Sequence, residues 1–83
     1  MRLLYFAWLK NLVGTDAEEV SPPGEVQDLR ALIAWQQSRG EGFAEAFSDV
    51  SAIRVAINQD YAKPDDPVKP GDEIAFFPPV TGG

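Results

Sequence analysis

Only one stretch of this sequence keeps helical periodicity long enough to build a full helix, and chain breakers fence it on both sides. Val26, Leu29, Leu32 and Ile33 recur at helical spacing through about Gln37, with Trp35 at the flank. Ser21-Pro22-Pro23-Gly24 precedes the stretch, and Gly40 and Gly42 stop it. Glu25 and Asp28 are expected in its first turn and Arg39 in its last, each on the favourable side of the helix dipole. Everything else must pack on that helix.

What remains reads mainly as short strands. Residues 2–8 carry Leu3, Tyr5 and Ala7 on one face and Leu4 and Phe6 on the other, as an interior strand would. Trp8 to Val13 fits a short helical turn ended by Gly14 in a left-handed conformation. Thr15 to Val20 suits a strand returning beside the first. Phe43, Ala46 and Phe47 suit a further helical turn closing one end of the core.

Ile53, Val55 and Ile57 alternate with Arg54 and Ala56, a half-buried strand; Asn58-Gln59-Asp60 is turn-like, and Tyr61-Ala62 starts a short return. Lys63 to Asp72 holds Pro64, Pro67, Pro70 and Gly71 and is expected to be a loop. Glu73 to Phe77 is the last strand, with Ile74 and Phe76 on one face and Ala75 and Phe77 on the other. Pro78-Pro79 ends it, since neither residue has an amide hydrogen to donate. The order predicts an α+β two-layer domain over residues 1–77, a mixed sheet of about five strands with one main helix packed across it, and an extended tail over 78–83. It fits a ubiquitin-like β-grasp architecture.

Composition then removes most chemistry. The chain of 83 residues has no Cys and no His, so it offers no disulfide, no zinc ribbon, no cysteine nucleophile and no neutral-pH imidazole base. Its formal charge of −6 is repelled by nucleic acid and by anionic membranes and is attracted by a basic partner surface. The apolar run near the N-terminus is too short to span a bilayer and lacks a cleavage signature. The cytoplasm is the expected compartment. Asp65-Asp66 with Asp72-Glu73 lacks the spacing of a calcium loop and reads as a solvated acidic loop, so no metal site is expected. The serines have no base to activate them, and Gly71-Asp72 is a turn rather than a phosphate loop.

The C-terminus is different. Phe77-Pro78-Pro79-Val80-Thr81-Gly82-Gly83 passes from a strand to a proline-stiffened segment and then to two residues without side chains. A terminal Gly-Gly alone is ordinary fraying. Joined to a rigid exit and the apolar anchor Val80, it can deliver the α-carboxylate of Gly83 through a channel too narrow for any side chain. A carboxylate is a poor electrophile until it is given a leaving group, most simply AMP from ATP. No nucleotide motif exists here, so activation must come from another enzyme.

These residues resemble a known family. Asp72 to Gly83 is similar to the C-terminal signature of the MoaD-type sulfur carriers, the small subunits of molybdopterin synthase. Leu4-Tyr5-Phe6-Ala7 with Leu12-Val13-Gly14 is similar to the family's opening, and Val55 to Tyr61 to its central strand and turn. The resemblance implies a β-grasp fold and a carrier cycle. An E1-like adenylyltransferase would use ATP to make a glycyl adenylate at Gly83, and sulfur transfer would turn it into a thiocarboxylate (1-thioglycine). The tail, Pro78, Pro79, Val80, Thr81 and Gly82, would enter the large subunit, which carries the catalytic site. There the sulfur would pass to cyclic pyranopterin monophosphate to form molybdopterin. Two small and two large subunits would assemble, and the small subunit itself would bind no cofactor. An apolar partner patch carries over to Phe6, Tyr61 and Phe77. The alternatives are a sulfur carrier for thiazole or tRNA thiolation, a ubiquitin-like protein modifier, and a plain binding module with an incidental Gly-Gly.

Overall fold

The computed structural model describes residues 1–79. Its strands are β1 (Arg2–Tyr5), β2 (Ala17–Glu19), β3 (Arg54–Ile57), β4 (Asp60–Tyr61) and β5 (Glu73–Phe77). Its helices are α1 (Trp8–Val13), α2 (Leu29–Gln37) and α3 (Glu41–Ala46), with a 3-10 turn at Val50–Ala52. The strands form one sheet in the order β2-β1-β5-β3-β4. β5 is central, parallel to β1 and antiparallel to β3. β1 with β2 and β3 with β4 are antiparallel pairs.

One face of the sheet is closed. Leu3, Tyr5, Val55, Ile74 and Phe76 bury themselves against Leu29, Leu32 and Ile33 of α2, with Leu9 and Phe47 filling the same core. Phe76 is at the middle: its ring stacks on Tyr5 at 5.7 Å and meets Phe47 edge-on at 5.0 Å. Among the described residues two polar side chains, Gln36 and Asp72, are buried, and no buried polar atom of either lacks a partner. Gln36 donates to the Tyr5 hydroxyl (2.6 Å) and accepts from Arg39 (2.9 Å), while Tyr5 donates to Glu18 (2.6 Å). Asp72 accepts from the Asn58 amide (3.0 Å) and the Lys69 N–H (2.9 Å), which fixes the loop before β5.

Several expected boundaries move. β1 ends at Tyr5, because Ala7 turns the chain at φ 57 and ψ −134 to start α1, and so leaves the face it was to share with Leu3 and Tyr5. α1 then ends at Gly14 in the left-handed conformation expected of it. α2 starts later than the Val26 spacing predicts. Asp28 is its N-cap, accepting from the Ala31 N–H at 2.8 Å, and Val26 and Glu25 lie in the turn before it.

Arg39 falls beyond the Ser38 C-cap, and its guanidinium bonds the Glu18 carboxylate and the Gln36 side chain rather than the terminal carbonyls of α2. Gly42 does not stop α2; it lies inside α3, where a Cβ would run into the Leu12 carbonyl of α1. Phe43, Ala46 and Phe47 close the core end as expected, with Phe47 as the C-cap.

Candidate functional site: an aromatic face beside the tail

The alternation that buries Ile74 and Phe76 turns Ala75 and Phe77 to the other face of the sheet. Both residues are only half-buried there. Register then decides what joins them. Leu4 stands opposite Ala75, Ala75 opposite Ala56, and Ala56 opposite Tyr61, which makes one row across four strands. Two alanines at its centre keep the row low between the larger Leu4 and Tyr61. The row nearer the tail is aromatic. Phe6 lies past the end of β1, yet its N–H donates to the Phe76 carbonyl at 3.1 Å and holds it beside Phe77.

The Phe77 ring sits 6.5 Å from Phe6, edge-on, and 6.0 Å from Tyr61. Phe6 is 49% exposed and Tyr61 74%, while Phe77 between them is half-buried. Sequence alone left open whether these three belong to the core; they form one surface patch instead. Pro78 and Pro79, both half-buried, continue from Phe77 at its edge. Val80, Thr81, Gly82 and Gly83 lie outside the described residues.

Two features of this face were not singled out from sequence. Arg54 stands directly opposite Phe77 and puts a cation beside the aromatic row. Its place in the Ile53–Ile57 alternation, out of phase with the buried Val55, was the available signal. At the far end Arg2 faces Glu19 on one side and Glu73 on the other, so the face grades from charged to aromatic toward the tail.

The titrating groups with displaced pKa values are elsewhere. Hydrogen bonds from Arg39 hold the Glu18 carboxyl below the usual carboxylate range, and Glu18 in turn raises the Arg39 guanidinium. Burial keeps the Tyr5 phenol protonated far above its ordinary range. The Arg39 guanidinium also lies over the Phe43 ring at 4.2 Å and the Trp35 ring at 4.8 Å. This network ties β1, β2 and α2 together.

The acidic loop is structural as well. Asp65 pairs with Arg30 at 2.8 Å, Asp66 accepts from the Lys63 N–H, and Asp72 is occupied as described. Among the described residues no cluster of three or more acidic side chains is placed to hold a metal ion, and no helix is long and apolar enough to cross a membrane. What the domain presents at the end of β5 is an exposed aromatic patch.

A mixed sheet in this order, with one main helix packed across it and an aromatic patch beside the exit of the last strand, defines a ubiquitin-like β-grasp protein. SAMP1 from Haloferax volcanii has the same fold, with a TM-score of 0.74 at 25% identity, covering 100% of this chain and 98% of that one. The chain belongs to the ThiS family, whose model matches residues 3–83. The molybdopterin synthase sulfur carrier subunit of Escherichia coli K12 is 44% identical over 84 residues, covering 100% of this chain and 99% of the relative. A chain in the complex of subunits 1 and 2 of the molybdopterin-converting factor from Helicobacter pylori matches at TM-score 0.65 and 26% identity, over 99% of this chain and 96% of that one.

Proposed function

We propose that this chain is the sulfur carrier subunit of molybdopterin synthase. The observation that carries the reading is the 44% identity with the Escherichia coli carrier subunit over the whole of this chain, which itself ends in Gly82-Gly83. In this reading the Gly83 carboxylate attacks the α-phosphate of ATP on an E1-like enzyme, pyrophosphate leaves, and a sulfur donor displaces AMP to give the thiocarboxylate. Thiocarboxylate sulfur is a better nucleophile than carboxylate oxygen; once it has bonded to the substrate, water hydrolyses the acyl–sulfur bond, leaving the sulfur on the product and returning the carboxylate for another round. Each chain brings one sulfur, so the dithiolene of molybdopterin takes two deliveries.

The chain's own part is to position that terminus. Phe6, Phe77 and Tyr61 form an apolar anchor, and aromatic groups at the centre of an interface supply much of its binding energy. With the anchor seated on the large subunit, Pro78 and Pro79 aim the tail and Val80 and Thr81 line its path. Gly82 and Gly83 pass where a Cβ would not. Two small and two large subunits make the assembly, working in the cytoplasm where ATP is at hand. The test is reconstitution: the thiocarboxylated chain, mixed with a large subunit and cyclic pyranopterin monophosphate, yields molybdopterin, and the chain lacking Gly82 and Gly83 yields none. Equal product from the truncated chain would refute the reading.

A further inference from the structure

Among the described residues four large apolar side chains are exposed, and two of them, Val50 and Tyr61, stand on the rims of a single groove. The groove, about 850 Å³, runs along the sheet edge between α2 and the β3–β4 hairpin. Leu29 and Ile33 of α2 form one wall, and Ile53 and Val55 form the other. β4 is an edge strand of two residues, pairing β3 only at Ala56 and Ile57, so the Ile53 end of β3 has no strand on that side.

The ladder bonds of this hairpin fall at Ile57–Asp60, which closes a two-residue loop, and at Val55–Ala62, where the Ala62 N–H donates at 2.9 Å. Tyr61 lies between those pairs, so its own N–H and C=O point away from β3 toward the open edge. That is the backbone pattern to which an added strand hydrogen-bonds.

Charge narrows what can fill it. On a chain of net charge −6, the groove is lined by two cations, Arg54 and Lys63, and by no carboxylate. Arg30 and Arg39 are paired with Asp65 and Glu18, whereas among the described residues Arg54 and Lys63 are in no ion pair. Of the carboxylates close by in sequence, Asp49 accepts from Ser51, Asp65 pairs with Arg30 and Asp66 accepts from the Lys63 N–H, while Asp60 of β4 is exposed and does not line the groove. Tyr61 also belongs to the aromatic face, so the groove continues that surface around the sheet edge.

We propose that this groove docks an extended segment of a partner protein in which aliphatic and acidic residues alternate. Strand periodicity sends alternate side chains to opposite faces, one row onto the apolar walls and the other toward Arg54 and Lys63, while the main chain pairs with Tyr61. The proposal does not depend on the chemistry of the C-terminus.

The test is a heteronuclear NMR titration of the 15N-labelled chain with a short blocked peptide of alternating valine and aspartate, set against the same peptide with lysine in place of aspartate. The aspartate peptide shifts Tyr61, Ala62, Ser51 and Leu29 saturably and binds about fivefold or more tighter than the lysine peptide. Lys63→Glu, an exposed change whose folding the same spectra report, reduces or reverses that preference. Absence of saturable shifts, equal binding of both peptides, an unchanged preference in Lys63→Glu, or shifts confined to Phe6 and Phe77 would each overturn the proposal.

Discussion

Phe76 and Phe77 are adjacent in sequence and face opposite sides of the sheet: Phe76 is fully buried against Tyr5 and Phe47, and Phe77 lies half-buried between Phe6 and Tyr61. One strand therefore carries the centre of the core and the centre of the exposed aromatic patch, one residue apart.

The same truncation at the two positions has different consequences. Phe76→Ala leaves a large cavity and costs about 3–5 kcal/mol, enough to unfold much of a domain this size. Phe77→Ala costs roughly 1–2 kcal/mol of stability but weakens binding to the large subunit by about 2 kcal/mol or more, some thirtyfold. Denaturant titration reads the first effect and calorimetry of complex formation the second.

Gln59→Gly is expected to stabilise the protein. Asn58 and Gln59 form the two-residue loop of the β3–β4 hairpin with φ of 50 and 73, the left-handed values that favour glycine. Relief of about 1–2 kcal/mol of steric cost outweighs the ~0.5–1 kcal/mol of added chain entropy in the unfolded state. Asn58 is the wrong place for the same change, because its side chain bonds Asp72 and the Glu73 N–H, both at 3.0 Å. A higher denaturation midpoint for Gln59→Gly, and a lower one for Asn58→Gly, is the expected pair of results.

Gly42→Ala is expected to destabilise by roughly 1–3 kcal/mol. The added methyl meets the Leu12 carbonyl, a backbone atom that cannot swing aside, so α1 and α3 must separate. Thermal melts check this, with Gly24→Ala as the comparison, since a Cβ there has no neighbour within 4 Å.

The acid limb of the stability curve depends on Glu18. Its carboxyl titrates below its ordinary value of 4.5 in the folded chain, chiefly because Arg39 hydrogen-bonds the charged form. The unfolded chain takes up the proton first, so the stabilisation is complete above that value and is lost as pH falls through the lower folded one. Glu18→Gln should be less stable than the parent at neutral pH, and the gap should narrow on acidification. Chemical denaturation across the acid range reads both slopes.

Much of this fold was legible from residue pattern. β5 was read at its true limits, Glu73–Phe77, because Gly71 and Pro78-Pro79 bracket a clean alternation. That alternation also put Phe6 and Phe77 on the face away from Tyr5 and Phe76. The pattern gave no sign that Phe6 meets Tyr61 through Phe77, since register between β1, β5, β3 and β4 is set by pairing at long range.

The misplaced boundaries have local causes. Val26 continues the helical spacing of α2, but the Asp28 cap and the Asp28–Pro67 bridge start the helix after it. Gly42 looks like a helix stop until α1 is known to lie against it. Arg39 looks like a dipole partner until Glu18 is folded beside it. Each depends on a neighbour remote in sequence.

The carrier cycle turns on the chemical state of Gly83. The deciding measurement is the intact mass of the chain after incubation with ATP, an E1-like adenylyltransferase and a sulfur donor, followed by fragmentation of the C-terminal peptide. The expected result is a gain equal to one sulfur replacing one oxygen, located at Gly83 and dependent on ATP. An unchanged mass, with the enzyme shown active on another carrier, would contradict it.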